Sequence, residues 1–263
     1  MTWSTELNEY FNKLELDGIK LTEGQKRWYA KKKEVLQEEM LREFPSTQEE
    51  AFASSQEGYW FPTQLRELYD NGRVTNISYD RNNVVHCSWD LGQSDETCIW
   101  FFQFNKQEDI LIIDHFQRSD TSLELMVQML QQKGYVYGTH IFPHDANARE
   151  LSGNTFAQQA RNYNLEFIVL ERSGLLDGIN LVRATMSKMW FDKVKCKDGL
   201  IALGAYKKRW NTQIGGFTSE PVHDFASHAA DSLRYLCQGY KKLMQAGNLE
   251  SEANTLRNYF NFR

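Results

Sequence analysis

Between residues 84 and 143 the chain spells a single order of elements, three apolar runs, a capped amphipathic stretch and a fourth apolar run. Segments 84–90, 97–104 and 110–116 are rich in β-branched and aromatic residues, and Gly92-Gln-Ser-Asp95 and Asn105-Lys-Gln-Glu-Asp109 separate them. Short runs of this kind, joined by such turns, read as an antiparallel three-stranded meander. Ser119 or Asp120 can cap a helix over 123–133 that Gly134 stops, and an apolar run ending at Phe142-Pro143 follows. Strand, helix and strand in that order predict a crossover to a parallel neighbour. The segment is thereby committed to a mixed sheet covered by helices.

The alternation continues downstream. Residues 155–163 read as a helix, 166–170 as a strand, and 178–190 as a helix with Leu181, Thr185 and Met189 on one face. Asp198-Gly199 between 193–197 and 200–203 predicts a tight β-hairpin whose first strand carries Lys193, Lys195 and Lys197 on one face. Asp224 is a plausible cap for a last helix over 225–240, and residues 247–263 give no clear element. Upstream, Thr22-Glu-Gly-Gln25 fits a capping box opening a polar helix to about Arg42, with Trp28, Val35, Leu36 and Met40 as a sparse apolar face. Phe44-Pro45 ends it, a short helix over 48–53 follows, and 54–58 reads as a linker. The expected divisions are 1–60, 61–245 and 246–263.

Composition narrows the setting. With 263 residues, 41% of them hydrophobic, the chain can bury a full-sized core. No run approaches the roughly 20 apolar residues that cross a bilayer, and the start, Met1-Thr-Trp-Ser-Thr-Glu6, lacks the order of a secretory signal. A cytosolic protein without membrane contact is expected. Cys87, Cys98, Cys196 and Cys237 form no C-x-x-C pair, so neither a zinc site nor a disulfide framework is indicated. The net charge of −5 leaves any contact with nucleic acid to a local basic surface.

Three aspartates carry the chemistry. Asp90 ends an apolar strand, where an unpaired carboxylate is costly and a cation would remove the cost. Asp145 follows the fourth apolar run, so adjacent parallel strands would deliver both carboxylates to one sheet edge. Asp231 lies on the last helix, three residues after His228, which therefore shares its face as a candidate for proton transfer or for orienting water. Converging carboxylates are what two hard cations need in order to be held against a phosphate. Asp224 reads as a cap and Asp95 as a turn residue. The lysine face of the predicted hairpin, with Lys207, Lys208 and Arg209 close by, is either a solvated surface or a contact for a polyanion.

At four places the sequence resembles the large terminase subunit of tailed bacteriophages: Phe44-Pro-Ser-Thr-Gln-Glu-Glu-Ala-Phe52 with 54–61, Ser88-Trp-Asp-Leu-Gly92, Pro143-His-Asp-Ala146, and His223-Asp-Phe-Ala-Ser-His-Ala-Ala-Asp-Ser-Leu-Arg-Tyr235. The resemblance covers most of the chain. It implies an α/β nuclease domain of ribonuclease H-like fold, with a mixed sheet of five or more strands, helices on both faces and an auxiliary β-hairpin. A helical N-terminal segment would be the end of the connection to a packaging ATPase. It further implies that Asp90, Asp145 and Asp231 bind two divalent cations, Mg or Mn, with His228 as an accessory residue, and that the 193–203 hairpin lies near the DNA path. The implied activity is low-specificity cutting of double-stranded DNA concatemers during genome packaging, in the cytoplasm of an infected bacterium. The implied partners are a small terminase subunit and a portal ring. No G-x-x-x-x-G-K-[ST] occurs, so the ATPase domain is absent from this chain. Two other readings use the same residues: a structure-selective nuclease of junction resolvase or ribonuclease H type, and a non-catalytic docking module of a packaging motor.

Overall fold

The computed structural model describes residues 3–16, 18–36, 40, 44, 46, 57–92, 96–119, 121–148 and 153–260, with side chains as far as 243. The chain divides into two compact units, Met1–Gly58 and Tyr59–Arg263. In the first unit, α1 (Thr5–Leu16) and α2 (Glu23–Leu36) bury Phe11, Leu14, Tyr29 and Met40. The capping box forms as the sequence predicts: Gln25 N–H donates to Thr22 Oγ1 at 3.3 Å, and Thr22 N–H to Gln25 Oε1 at 2.8 Å. Helix α1 has no counterpart in the sequence reading. The short helix expected over 48–53 lies outside the described residues.

The second unit opens with α3 (Pro62–Asp70) and the two-residue strand β1 (Val74–Thr75), neither of which the sequence announces. The predicted meander follows as β2 (Val85–Asp90), β3 (Glu96–Phe104) and β4 (Ile110–Ser119), antiparallel with Asp90 opposite Cys98 and Trp100 opposite His115. Helix α4 (Leu123–Lys133) returns across the sheet, capped by Ser122, whose Oγ accepts from Leu125 N–H at 3.3 Å, in place of Ser119 or Asp120. Strand β5 (Tyr137–Phe142) then pairs parallel to β2, as the crossover requires.

Beyond β5 come a 3₁₀ turn (His144–Asn147), α5 (Phe156–Asn162), β6 (Phe167–Val169) and α6 (Leu175–Thr185). The helix expected over 178–190 ends early, because Met189 starts β7 (Met189–Asp192), parallel to β4. Among the described residues the sheet has seven strands in the order β1-β7-β4-β3-β2-β5-β6. β3 alone runs against the others, so the C-terminal ends of β2, β5 and β6 gather at one edge.

The predicted 193–203 hairpin does not form. Residues 197–205 are a helix, α7 (Lys197–Ala205), and Gly199 lies inside it. Its glycine answers a packing demand: a Cβ there would collide with the Trp100 ring and the His115 imidazole. A two-stranded sheet does exist further on, β8 (Lys208–Asn211) with β9 (Gly216–Pro221), where Trp210 packs edge-on against Phe217 at 4.9 Å. The last helix, α8 (Phe225–Phe260), begins at the Asp224 cap, whose Oδ1 accepts from Ala226 N–H at 3.0 Å, and runs well past the expected end at 240.

Side chains alternate across the sheet as the pleat dictates. Trp100, Phe102 and Ile112 join α3, α6, α7 and α8 in one core, while Trp89, Phe101 and Phe142 join α4 and α5 in the other. Helices therefore cover both faces. Trp89 Nε1–H donates at 3.0 Å to Nδ1 of the fully buried His140, which fixes that imidazole as neutral.

Two outcomes follow from this packing. Burial lowers the pKa of His86, His115 and His140 to about 4, whereas in the unfolded chain they titrate near ~6.5. The unfolded state therefore binds more protons between these values. The stability these residues confer is complete above about pH 6.5 and is lost as pH falls toward 4. Imidazole NMR of the folded protein should show His140 still neutral at about pH 5, and titration there at the unfolded value would contradict the packing. Gly199→Ala, although it gains helix propensity, should destabilise the protein by roughly 1–3 kcal/mol through overpacking, read from urea midpoints.

Candidate metal centre

The edge where β2 and β5 end is built by the docking of α8. Ser88 and Ser232 are fully buried and exchange hydrogen bonds: Ser88 Oγ–H donates to Ser232 O, and Ser232 Oγ–H to Ser88 O, each at 2.7 Å. Trp100 Nε1–H donates to Ala229 O at 2.9 Å. The helix face against the sheet is small, with Ala226, Ala229 and Ala230 all buried, so its backbone approaches closely. Because residues two apart on a strand share a face, Ser88 brings Asp90 with it, and Ser232 brings its neighbour Asp231.

His228 Nδ1 lies 3.0 Å from Asp90 Oδ2 in a hydrogen bond, and the His223 ring stands edge-on to it with centroids 5.4 Å apart. Asp231 Oδ1 accepts from Arg234 Nη2 at 2.8 Å. Asp145 is exposed on the 3₁₀ turn that follows β5, next to β2 in the sheet. Burial is the first cause of a raised pKa at Asp90, with the like charge of Asp145 adding to it and His228 and Arg234 opposing it. Asp231 is pushed up to about 6, again by burial first, with Arg234 opposing and Asp90 adding. Asp90 thus feels the charge of Asp145, and Asp231 that of Asp90.

This donor set fits hard divalent cations. Two carboxylates with side chains only 16% and 27% exposed are costly to keep ionised without counter-charge, and carboxylate oxygens suit Mg or Mn. The acids do not stand ready as a cage. Among the described residues no three His, Cys, Asp or Glu side chains converge at metal-holding distance; Asp231 is paired with Arg234 and Asp90 with His228.

The structure divides the six basic residues singled out by sequence. Lys193 and Lys195 occupy the turn after β7, and Lys197 starts α7. Lys195 Nζ donates to Tyr135 OH at 3.1 Å, and Tyr135 precedes β5 whereas Asp145 follows it, so the Lys195 ammonium lies toward the other end of the strand. Lys207 precedes β8, and Lys208 and Arg209 lie within it. Val222 N–H donates to Lys207 O at 2.9 Å, only two residues before the cap of α8. Lys208 Nζ lies 5.1 Å from the Trp60 ring centroid, and Arg209 pairs with Glu220 at 3.4 Å. Sequence reasoning assigned no part to Arg234, Ser88 or Ser232. The spacing of Arg234 three residues after Asp231 was its signal; the serines gave none.

No protein-family model and no curated protein sequence matches the chain. Solved structures do. The large terminase from the thermophilic bacteriophage D6E aligns with a TM-score of 0.51 at 15% identity, over 66% of this chain and 43% of that one. The same protein in complex with ATP-gamma-S gives 0.50 at 17% identity, over 66% and 44%. The P22 large terminase nuclease domain gives 0.48 at 14% identity, over 65% of this chain and 89% of that one. The chain spans less than half the length of the D6E protein it matches. The chain therefore has an α/β fold with a mixed sheet similar to that of the D6E large terminase.

Proposed function

We propose that the chain is a metal-dependent endonuclease that hydrolyses phosphodiester bonds of double-stranded DNA with low sequence specificity. The observation that carries this reading is the delivery of Asp90, Asp145 and Asp231 to one sheet edge, with His228 bound to the first. The three aspartates would hold two divalent cations, Mg or Mn. Such ions, when bound, supply an activated water and stabilise charge on the phosphate. His228 positions the Asp90 carboxylate through Nδ1, and the Ser88–Ser232 pair keeps β2 and α8 in register beneath the site. Residues 61–245 would form the nuclease domain, 1–60 the end of a connection to an ATPase, and 246–263 a tail. In this role the protein cuts concatemeric viral DNA in the cytoplasm of an infected bacterium, with a small terminase subunit, a portal ring and the ATPase domain as partners. No helix among the described residues is long and apolar enough to cross a membrane.

In a plasmid cleavage assay with magnesium or manganese, Asp90→Asn should lose roughly 100-fold or more of the rate, and His228→Ala, which removes a supporting contact, about 10–100-fold. Wild-type cleavage by Asp90→Asn would sink the proposal. For DNA contact, Lys207, Lys208 and Arg209 are favoured over Lys193, Lys195 and Lys197 by their link to the start of α8. Lys207→Gln should lower the slope of log affinity against log salt by about 1, while Lys195→Gln leaves it unchanged. The reverse pattern in a fluorescence-anisotropy titration would assign the DNA path to the other group.

A further inference from the structure

The acidic edge already contains a cation. Arg234 Nη2 donates to Asp231 Oδ1 at 2.8 Å from one turn further along α8. This guanidinium is not a loose surface group. The residue is 9% exposed, and its stem lies on Gly178 of α6, where any Cβ would collide with Arg234 Cγ and Cδ. Its guanidinium carbon sits 5.1 Å from the Tyr235 ring centroid, and Nε is buried with no hydrogen-bond partner. Burying an arginine with one donor unsatisfied is unfavourable, and the Asp231 contact is what offsets it.

Any ion that takes Asp231 shares its carboxylate with the guanidinium, whose positive charge opposes it. A divalent ion arriving beside Asp90 meets a carboxylate whose Oδ1 is engaged, in keeping with the lack, among the described residues, of three ligands converged at metal-holding distance. We infer that Arg234 is the resident counter-cation of the acidic site and sets the divalent-ion concentration at which that site fills. Ion and guanidinium share Asp231 and repel one another, so the site fills against the charge of Arg234. A direct phosphate contact by Arg234 is disfavoured, because the side chain is packed between α6 and α8 rather than presented to solvent. The inference rests on the metal-site reading above to the extent that Asp231 takes an ion.

Titration calorimetry with manganese alone, at pH 8 and without DNA, tests it. An opposite charge in contact with a carboxylate shifts its affinity for a proton by roughly 10- to 1000-fold, and a divalent ion feels the same field. Arg234→Gln should therefore bind manganese roughly tenfold or more tightly than the wild type, and the gain should vanish in an Asp231→Asn background. If Arg234→Gln does not fold, side-chain nitrogen NMR of the wild-type protein gives the same decision. The Arg234 resonances should move on adding magnesium, with the midpoint of ion binding, while those of Arg183, bonded to the Trp60 carbonyl, stay fixed. Manganese binding that Asp90→Asn abolishes but Arg234→Gln leaves unchanged overturns this inference alone, as do static Arg234 resonances while ions bind. Absence of any ion binding that depends on Asp90 overturns it together with the metal-site reading.

Discussion

The candidate site depends on the two hydrogen bonds that Ser88 and Ser232 exchange across the β2–α8 contact. Each hydroxyl is fully buried and must find a partner, and each finds the carbonyl of the other residue. Sliding α8 by one turn, about 5.4 Å, would leave both hydroxyls unsatisfied in an apolar layer. The net stability from such bonds is modest, about 1 kcal/mol each, but the cost of leaving them unmade fixes the register. Register is what the site requires. Asp231 precedes one serine and Asp90 lies two residues after the other, so the clamp that sets the helix on the sheet also sets the acids beside one another.

Charge is then placed around a largely apolar core. Seven of the nine residues of β3 are buried, and Trp100, Phe102 and Phe191 fill the layer beneath α7 and α8. Embedded carboxylates each have a named partner: Lys133 for Asp114 within β4, His228 for Asp90 and Arg234 for Asp231 at the strand ends. Asp145, exposed on its 3₁₀ turn, has solvent instead. The edge is therefore assembled from unlike carboxylates, two embedded and one open.

The parts of this arrangement that were legible in sequence are those whose cause is local. The meander showed itself because β-branched and aromatic runs alternated with turn residues, and the capping boxes at Thr22 and the cap at Asp224 announced helices by side-chain chemistry alone. Asp198-Gly199 misled because its signal is equally local while the reason for Gly199 is tertiary, the Trp100 and His115 rings pressed against α7. The β8–β9 hairpin escaped notice since its strands, Lys-Arg-Trp-Asn and Gly-Phe-Thr-Ser-Glu-Pro, carry little alternation. Asp90, His228 and Asp231 could be named from strand end and helix spacing. The partnership of Arg234 could not, because an arginine at that spacing faces solvent as readily as it turns inward; the packing of its stem on Gly178 decides the matter.

On the proposed reading, an acidic chain must still bring a polyanion to an acidic edge. A net charge of −5 repels DNA at long range, within about 8–10 Å of screening at physiological salt. Attraction must then come from cations closer to the phosphate path than the carboxylates are, and continuity of the chain favours the β8–β9 hairpin for this task. Its β9 strand passes into the cap of α8 within three residues, so whatever the hairpin touches is tied to the helix that carries His228 and Asp231. Two divalent ions at the edge would outweigh the three carboxylates and reverse the sign of the field an approaching phosphate meets.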